Sequence, residues 1–302
     1  MNRCRAVVLL GAALLLAAPA FAQEPPPGAP PVLRISVEDI KPGSVGTHEK
    51  QVASYLALWE RAKVPNYRLG LTPVSGDTNQ VVYLEAFPSY AEMESVDKKM
   101  EDAIGSNPVW QAELDQLERQ TGPMHASQRS MIGVFRADLS YQPLKMDGVA
   151  KARYFNMTTS RLRPGRGADY AEYVKQLNRA REKAQIADIH TAVYQVVTGA
   201  PAGTFVTFTL NRSLSEIDDS RKNAEARNKA IDEAIGGETV VKQRAEMAGQ
   251  IFDAGSGESA LYSVNRKLSR PLPQFAAFDA DYWTPKPASP KALATKKDEK
   301  KP

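Results

Sequence analysis

Cysteine is almost missing from this chain: Cys4 is the only one in 302 residues. It precedes an apolar run instead of closing it, so it is not the acylated cysteine of a lipoprotein. Arg3 and Arg5, the apolar stretch Ala6 to Ala18 and the small-x-small sequence Ala20-Phe21-Ala22 have the layout of a cleaved secretory signal peptide over residues 1–22. The apolar run is shorter than the ~20 residues that cross a bilayer, and Pro19 interrupts its end. No transmembrane segment is expected after cleavage, and the mature chain from Gln23 is expected in the periplasm or outside the cell. With no thiol left, disulfides and all cysteine chemistry are excluded, and stability must come from the core.

Other chemistry is missing too. There is no Gly-x-Ser-x-Gly elbow, no Walker or dinucleotide glycine fingerprint, and no His/Asp/Glu cluster at zinc spacing, so no metal ligand is assigned. Positive charge is scarcer than the pI of about 9.0 suggests. Of the net +4, Arg3 and Arg5 carry two charges and residues 285–302 a further net four, which leaves the rest of the chain at −2. A slightly acidic body argues against nucleic acid as a partner.

What the chain does have is an internal echo. Asp39 to Leu56 and Ser160 to Leu177 share a basic residue, Pro-Gly, a short polar run and a helical pattern. Superposed, Ile35, Val37, Ile40, Pro42 and Gly43 fall on Met157, Thr159, Leu162, Pro164 and Gly165. A repeat of this kind sets the fold before any local reading.

After a Pro-rich linker (23–31), residues 32–145 read as one unit. Val32 to Ile40 alternates with the period of a strand, and His48 to Lys63 carries Val52, Leu56 and Trp59 at helical spacing. Tyr67 to Val74 and Val81 to Phe87 flank a turn-rich loop. Helices begin at Pro88-Ser89 and Asn107-Pro108, and Met131 to Leu139 closes the unit as a strand. Residues 152–272 repeat the order: strand Tyr154 to Leu162, a helix marked by Tyr170, Val174 and Leu177, strands His190 to Thr198 and Thr204 to Asn211, one helix lengthened by seven residues, and strand Ala260 to Leu268. Residues 273–284 read as an arm packed on the body and 285–302 as a disordered Lys-rich tail. Each unit is β-α-β-β-α-β, a ferredoxin-like α+β repeat. Two such sheets cover each other by packing face to face as a pseudo-dimeric α/β barrel.

The Arg/Lys-Pro-Gly turn leading into a His- or Tyr-headed helix, over Leu33 to Leu272, resembles the dimeric α/β-barrel superfamily, in its NIPSNAP-type and antibiotic-biosynthesis-monooxygenase-type branches. That resemblance implies a range: cofactor-free oxygenases, haem-degrading and peroxidase-like haem proteins, lactone isomerases and ligand-binding modules. A fold does not choose among them.

Three histidines are available. His48, in a first helical turn, reads as packing or surface, and His125 as a loop residue. His190 begins a strand where the first unit has Tyr67, beside Asp188, and is the candidate general base or axial haem ligand; a strand-end hydrogen bond is the plainer alternative. If Ile35, Val37 and Met157 face the helices, period two puts the polar residues between the sheets. Arg34, Glu38, Tyr67, Tyr83, Glu85 and Arg136 then line a pocket beside Asn156, Thr158, His190, Tyr194 and Thr207. Three readings follow: a small-molecule-binding protein with its pocket between the units, an oxygenase-like enzyme (cofactor-free or haem-linked) using His190 and Asn156, or an interaction module without a pocket. Any of them fits a monomer or a homodimer.

Overall fold

The structure, a computed structural model, describes residues 28–284. The expected signal peptide, the start of the Pro-rich linker and the Lys-rich tail lie outside the described residues.

Strand β1 (Val32–Ile40) alternates buried aliphatics with polar residues, as its sequence does. It ends in a turn closed by Ser44 N–H donating to the Lys41 carbonyl, with Gly43 at φ +84°. The matching turn after β5 (Tyr154–Arg161) is closed by Arg166 N–H donating to the Arg163 carbonyl, with Gly165 at φ +81°. Both turns need a residue at positive φ in their third position, which is why glycine follows proline in each. Helices α1 (Val45–Arg61) and α5 (Gly167–Lys183) start directly after them.

The rest of the first half is β2 (Arg68–Pro73), β3 (Gln80–Phe87), α2 (Tyr90–Gly105), α3 (Pro108–Thr121) and β4 (His125–Phe135). Side chains cap both helices: Ser89 accepts from Glu92 N–H, and Asn107 accepts from Val109 and Trp110 N–H. Strand β4 starts and ends earlier than its sequence suggests. The chain leaves the sheet at Arg136, and Leu139 is buried under α5 instead. A short helix, α4 (Met146–Lys151), leads into β5.

In the second half β6 (Thr191–Thr198) and β7 (Thr204–Asn211) form the hairpin. The single lengthened helix expected next is two, α6 (Leu214–Lys222) and α7 (Ala224–Ile235), and a further helix, α8 (Glu238–Ile251), follows. Asn223 ends the first and Gly236-Gly237, both at positive φ, end the second. Strand β8 (Glu258–Arg270) follows, then α9 (Pro273–Ala277) and α10 (Ala280–Trp283). These last turns are docked: the Trp283 indole N–H donates to the Ala150 carbonyl (3.1 Å), and the Arg153 guanidinium stacks 3.5 Å from the Tyr282 ring centroid.

All eight strands close into one antiparallel barrel, in the order β1-β3-β2-β8-β5-β7-β6-β4. The halves join at two seams, β2 against β8 and β4 against β6. The interior is packed with Ile35, Val37, Met157, Tyr194, Phe208, Tyr262 and their neighbours from both halves. At one mouth, Tyr262 donates to Gln80 and Gln80 to Asp39, which Arg129 also contacts (3.1 Å). At the N-terminal approach, the Pro31 carbonyl accepts from Phe135 N–H and the Pro30 carbonyl from the Tyr194 hydroxyl.

Candidate functional site

The barrel interior corrects the expected pocket. Apolar faces of both sheets turn toward each other, and the polar faces turn outward under the helices. Both faces are covered, and the hydrophobic effect assigns the more apolar one to the packed barrel interior.

The residues expected to line one pocket are consequently scattered. Arg34 pairs with Glu85 (3.2 Å) and with Asp97 of α2 (2.6 Å), tying that helix to the sheet. Asn156 and Thr158 each lie 3.0 Å from Ser259 on the outer face of the second half. Thr207, paired with Thr158 in register, faces outward with it. Tyr67 sits beneath the Arg270 guanidinium at 5.1 Å. Tyr194 is inside the barrel, but as filling, against Phe135 and Phe208.

His190 precedes β6 and its Nδ1 is 2.7 Å from the Gln142 carbonyl, the strand-end hydrogen bond that was the plainer reading. The space between the sheets is filled, and His190 lines neither of the cavities described below. A haem does not fit at this histidine.

Arg136 makes a two-pronged pair with Asp138 (2.8 and 2.9 Å), and Lys175 approaches the same carboxylate at 3.0 Å. The Arg136 hydrogen bonds, helped by Lys175, hold the Asp138 carboxyl well below the usual carboxylate range. Its stabilisation is therefore complete above the unfolded carboxylate value and is lost as pH falls through the lower folded value. Asp138 is 40% exposed, so the effect is modest. Relative to Asp138→Asn, the wild-type unfolding midpoint is expected to hold a constant lead from pH 8 to 5 and to lose it below about pH 4, read by thermal denaturation across that range.

Of the expected residues, Glu38 and Tyr83 line a described cavity. It is a space of about 340 Å³ between the outer face of β1–β3 and helices α1 and α3, lined also by His48, Tyr55, Trp59, Arg68 and His125. A second opening, about 300 Å³, lies among α5, α7 and α8 beside Arg179 and Lys183.

Each side chain arrives in the first cavity for a local reason. Glu38 is on the outward face of β1, two residues beyond Ser36 and four beyond Arg34. His48 is in the first turn of α1, 1% exposed, with Nε2 2.9 Å from Glu38 Oε2. His125 opens β4 on the far side of a register shift, where Asp39 faces Ser127 but Ile40 faces His125. That bulge inserts one residue and turns His125 to the outer face. Its Nε2 lies 3.4 Å from the same Glu38 oxygen, and its ring packs edge-on to His48 with centroids 5.2 Å apart.

The electrostatics follow. Burial pushes the Glu38 carboxyl up, but the His48 hydrogen bond and the charges of His48, His125 and Arg68 outweigh it and hold the group below its ordinary value. Burial holds the His125 imidazole below its usual value, against the pull of Glu38. The Arg68 guanidinium lies between the Tyr83 ring (4.0 Å) and the Trp59 ring (4.8 Å). Its Nε and the Tyr83 hydroxyl are buried and have no hydrogen-bond partner.

In the second half Tyr170 stands where α1 has His48. It is buried against Phe205 (4.6 Å) and Phe252 (5.8 Å), so aromatic packing occupies that place. Sequence reasoning passed over His48 and His125. The signal it did contain was this divergence of His48 from Tyr170.

No protein-family model matches the chain, and no curated protein matches it. Among solved structures, an anthrone oxidase-like protein is 14% identical with a TM-score of 0.46, covering 78% of this chain and 91% of its own. A mutant chlorite dismutase from Candidatus Nitrospira defluvii is 9% identical with a TM-score of 0.44, over 82% of this chain and 96% of its own. A NIPSNAP domain protein from Burkholderia xenovorans is 22% identical with a TM-score of 0.28, over 35% of this chain and 95% of its own. The α/β barrel expected from the sequence rests on this chain's own topology, a closed antiparallel barrel of eight strands among the described residues. At such identities and TM-scores these neighbours carry no argument, and the site stands on this chain's own residues.

Proposed function

We propose that this is an exported small-molecule-binding protein whose ligand occupies the cavity beneath α1 and α3. The observation that carries the reading is that two residues lining that cavity, Tyr83 and Arg68, each hold a buried donor without a partner, the hydroxyl and Nε. Each such group costs about 1–3 kcal/mol when left unsatisfied, so a small shift of either side chain toward a bound acceptor relieves a cost already present. Arg68 supplies positive charge, and Trp59 and Tyr83 supply flat apolar surface. A small planar carboxylate matches that chemistry. The volume is at the lower end of the ~300–1,000 Å³ of small-molecule sites.

Export rests on the charged, apolar and small-residue layout of residues 1–22. We further read the two halves as copies of one ancestral unit. The two Pro-Gly turns and the shared strand order of each half support this.

Benzoate is a suitable probe, followed by the fluorescence of Trp59. Saturable quenching is expected in the wild type and its loss in Trp59→Phe. Affinity should fall about tenfold in Tyr83→Phe and further in Arg68→Met, as expected for a neutral and a charged hydrogen bond. Equal binding by wild type and Arg68→Met counts against the cavity as the site.

A further inference from the structure

The geometry points to a second ligand at the floor of this cavity: a divalent first-row transition-metal ion of the zinc or iron(II) class, held by Glu38, His48 and His125.

The three side chains come from β1, the first turn of α1 and the bulged start of β4, and their ligand atoms all lie within 4.8 Å of one another. Two imidazole Nε2 atoms converge on a single carboxylate oxygen, at 2.9 and 3.4 Å. Ligands sharing one ion at bonds of ~2.1 Å sit about 3.0 Å apart at a right angle and about 3.4 Å apart at the tetrahedral angle. Each imidazole nitrogen is thus at ligand-to-ligand distance from the carboxylate oxygen, and a turn of His125 that brings its nitrogen closer to that of His48 completes the set.

Hydrogen bonds from both imidazoles to one carboxylate oxygen, which has two lone pairs, are the metal-free alternative that the titration below separates from the ion. The Gln128 side chain lies 3.0 Å from His125 Nδ1. Turned over, its amide oxygen accepts that N–H, the outer hydrogen bond that metal-bound histidines take.

Two nitrogens and one carboxylate suit zinc, iron, cobalt or nickel better than the all-oxygen shells of calcium and magnesium. Three protein ligands leave coordination positions open. Those positions face the cavity, beside the unpartnered Arg68 Nε and Tyr83 hydroxyl. In this part the inference rests on the binding reading above: the carboxylate expected there would reach the ion and Arg68 together. Packing does not demand the cluster, since the same place in the other half holds Tyr170 and its aromatic neighbours.

The test uses the mature chain from Gln23, stripped with EDTA and titrated with zinc chloride by calorimetry and with cobalt chloride by visible absorption. One zinc per chain is expected, with cobalt bands of an ordered low-symmetry site and an unfolding midpoint that rises with zinc concentration. His125→Ala and Glu38→Gln, both at less buried positions than His48, should weaken zinc binding by about 100-fold or more, beyond what loss of an outer-shell partner costs. His190→Ala should leave it unchanged. Equal zinc affinity in wild type and His125→Ala, or no cobalt bands in a folded wild type, overturns the site. Benzoate titrations with and without zinc separate the two readings. Benzoate binding with no zinc binding removes the metal and leaves the pocket, whereas zinc binding with no benzoate response keeps the metal and removes the pocket.

Discussion

Phe208→Ala is expected to cost about 3–5 kcal/mol and to lower the unfolding midpoint by about 10 °C. Phe208 is 3% exposed, lies opposite Met157 in the β5–β7 ladder and meets the Tyr194 ring edge-on at 5.9 Å inside the barrel. Truncation there removes a ring from a closed space whose walls are hydrogen-bonded strands and cannot collapse inward. The neighbouring Thr207→Ala faces the helices and should change stability by no more than about 0.5 kcal/mol. Urea unfolding of the two variants decides which face of the sheet is the interior. A large loss for Thr207→Ala with a small one for Phe208→Ala would mean that the polar face points inward and the barrel is the pocket after all.

Gly199→Ala should be destabilising by about 2–5 kcal/mol, from two sources that can be separated. Gly199 has φ +84°, which costs an alanine about 1–2 kcal/mol. In addition, a Cβ there would stand 2.0 Å from the Ser130 carbonyl oxygen, on the backbone of β4. The β6–β7 hairpin is therefore pressed against the first half at a seam of the barrel, and relieving the contact requires moving a strand, typically a further ~1–3 kcal/mol. Gly165→Ala has nearly the same φ, +81°, but nothing within 4 Å of the added carbon. It should show the backbone part alone. Equal losses in the two variants would show that the seam tolerates the intruding methyl.

Much of the architecture was legible because two features of the sequence depend only on local chemistry. Alternation marked β1 and β5, and Pro-Gly marked the turn that follows each. The closed barrel follows once both sheets must cover an apolar face. The site was hidden for reasons that are not local. Period two shows which residues share a face but not which way that face points, and here each sheet is covered on both sides. Choosing the wrong side sent Arg34, Asn156 and Thr158 into the barrel, whereas they lie under helices. His48 becomes a partner of Glu38 only when α1 lies across β1. His125 was assigned to a loop because β4 begins earlier than its apolar run, and only the bulge beside Asp39 turns its ring toward the same carboxylate. The second helical segment of the second half misled for a related reason. Its apolar stripe continues through Ile217, Ala224 and Ile231, but Asn223 divides it into two helices.

Closure of the barrel also governs the order of events in time. Strand β2 belongs to the first half, yet one of its two neighbours is β8, and Thr72 meets Ser263 across 191 positions of chain. The first four strands can pair among themselves early, but β2 keeps a bare edge until nearly the whole polypeptide has been delivered. Contacts of such separation are slow to form, because a long loop must be ordered before they give anything back. The barrel is thus shut by its last strand, and the cavity under α1 and α3, built on the outer face of that same sheet, reaches its final form only when the far end of the chain arrives.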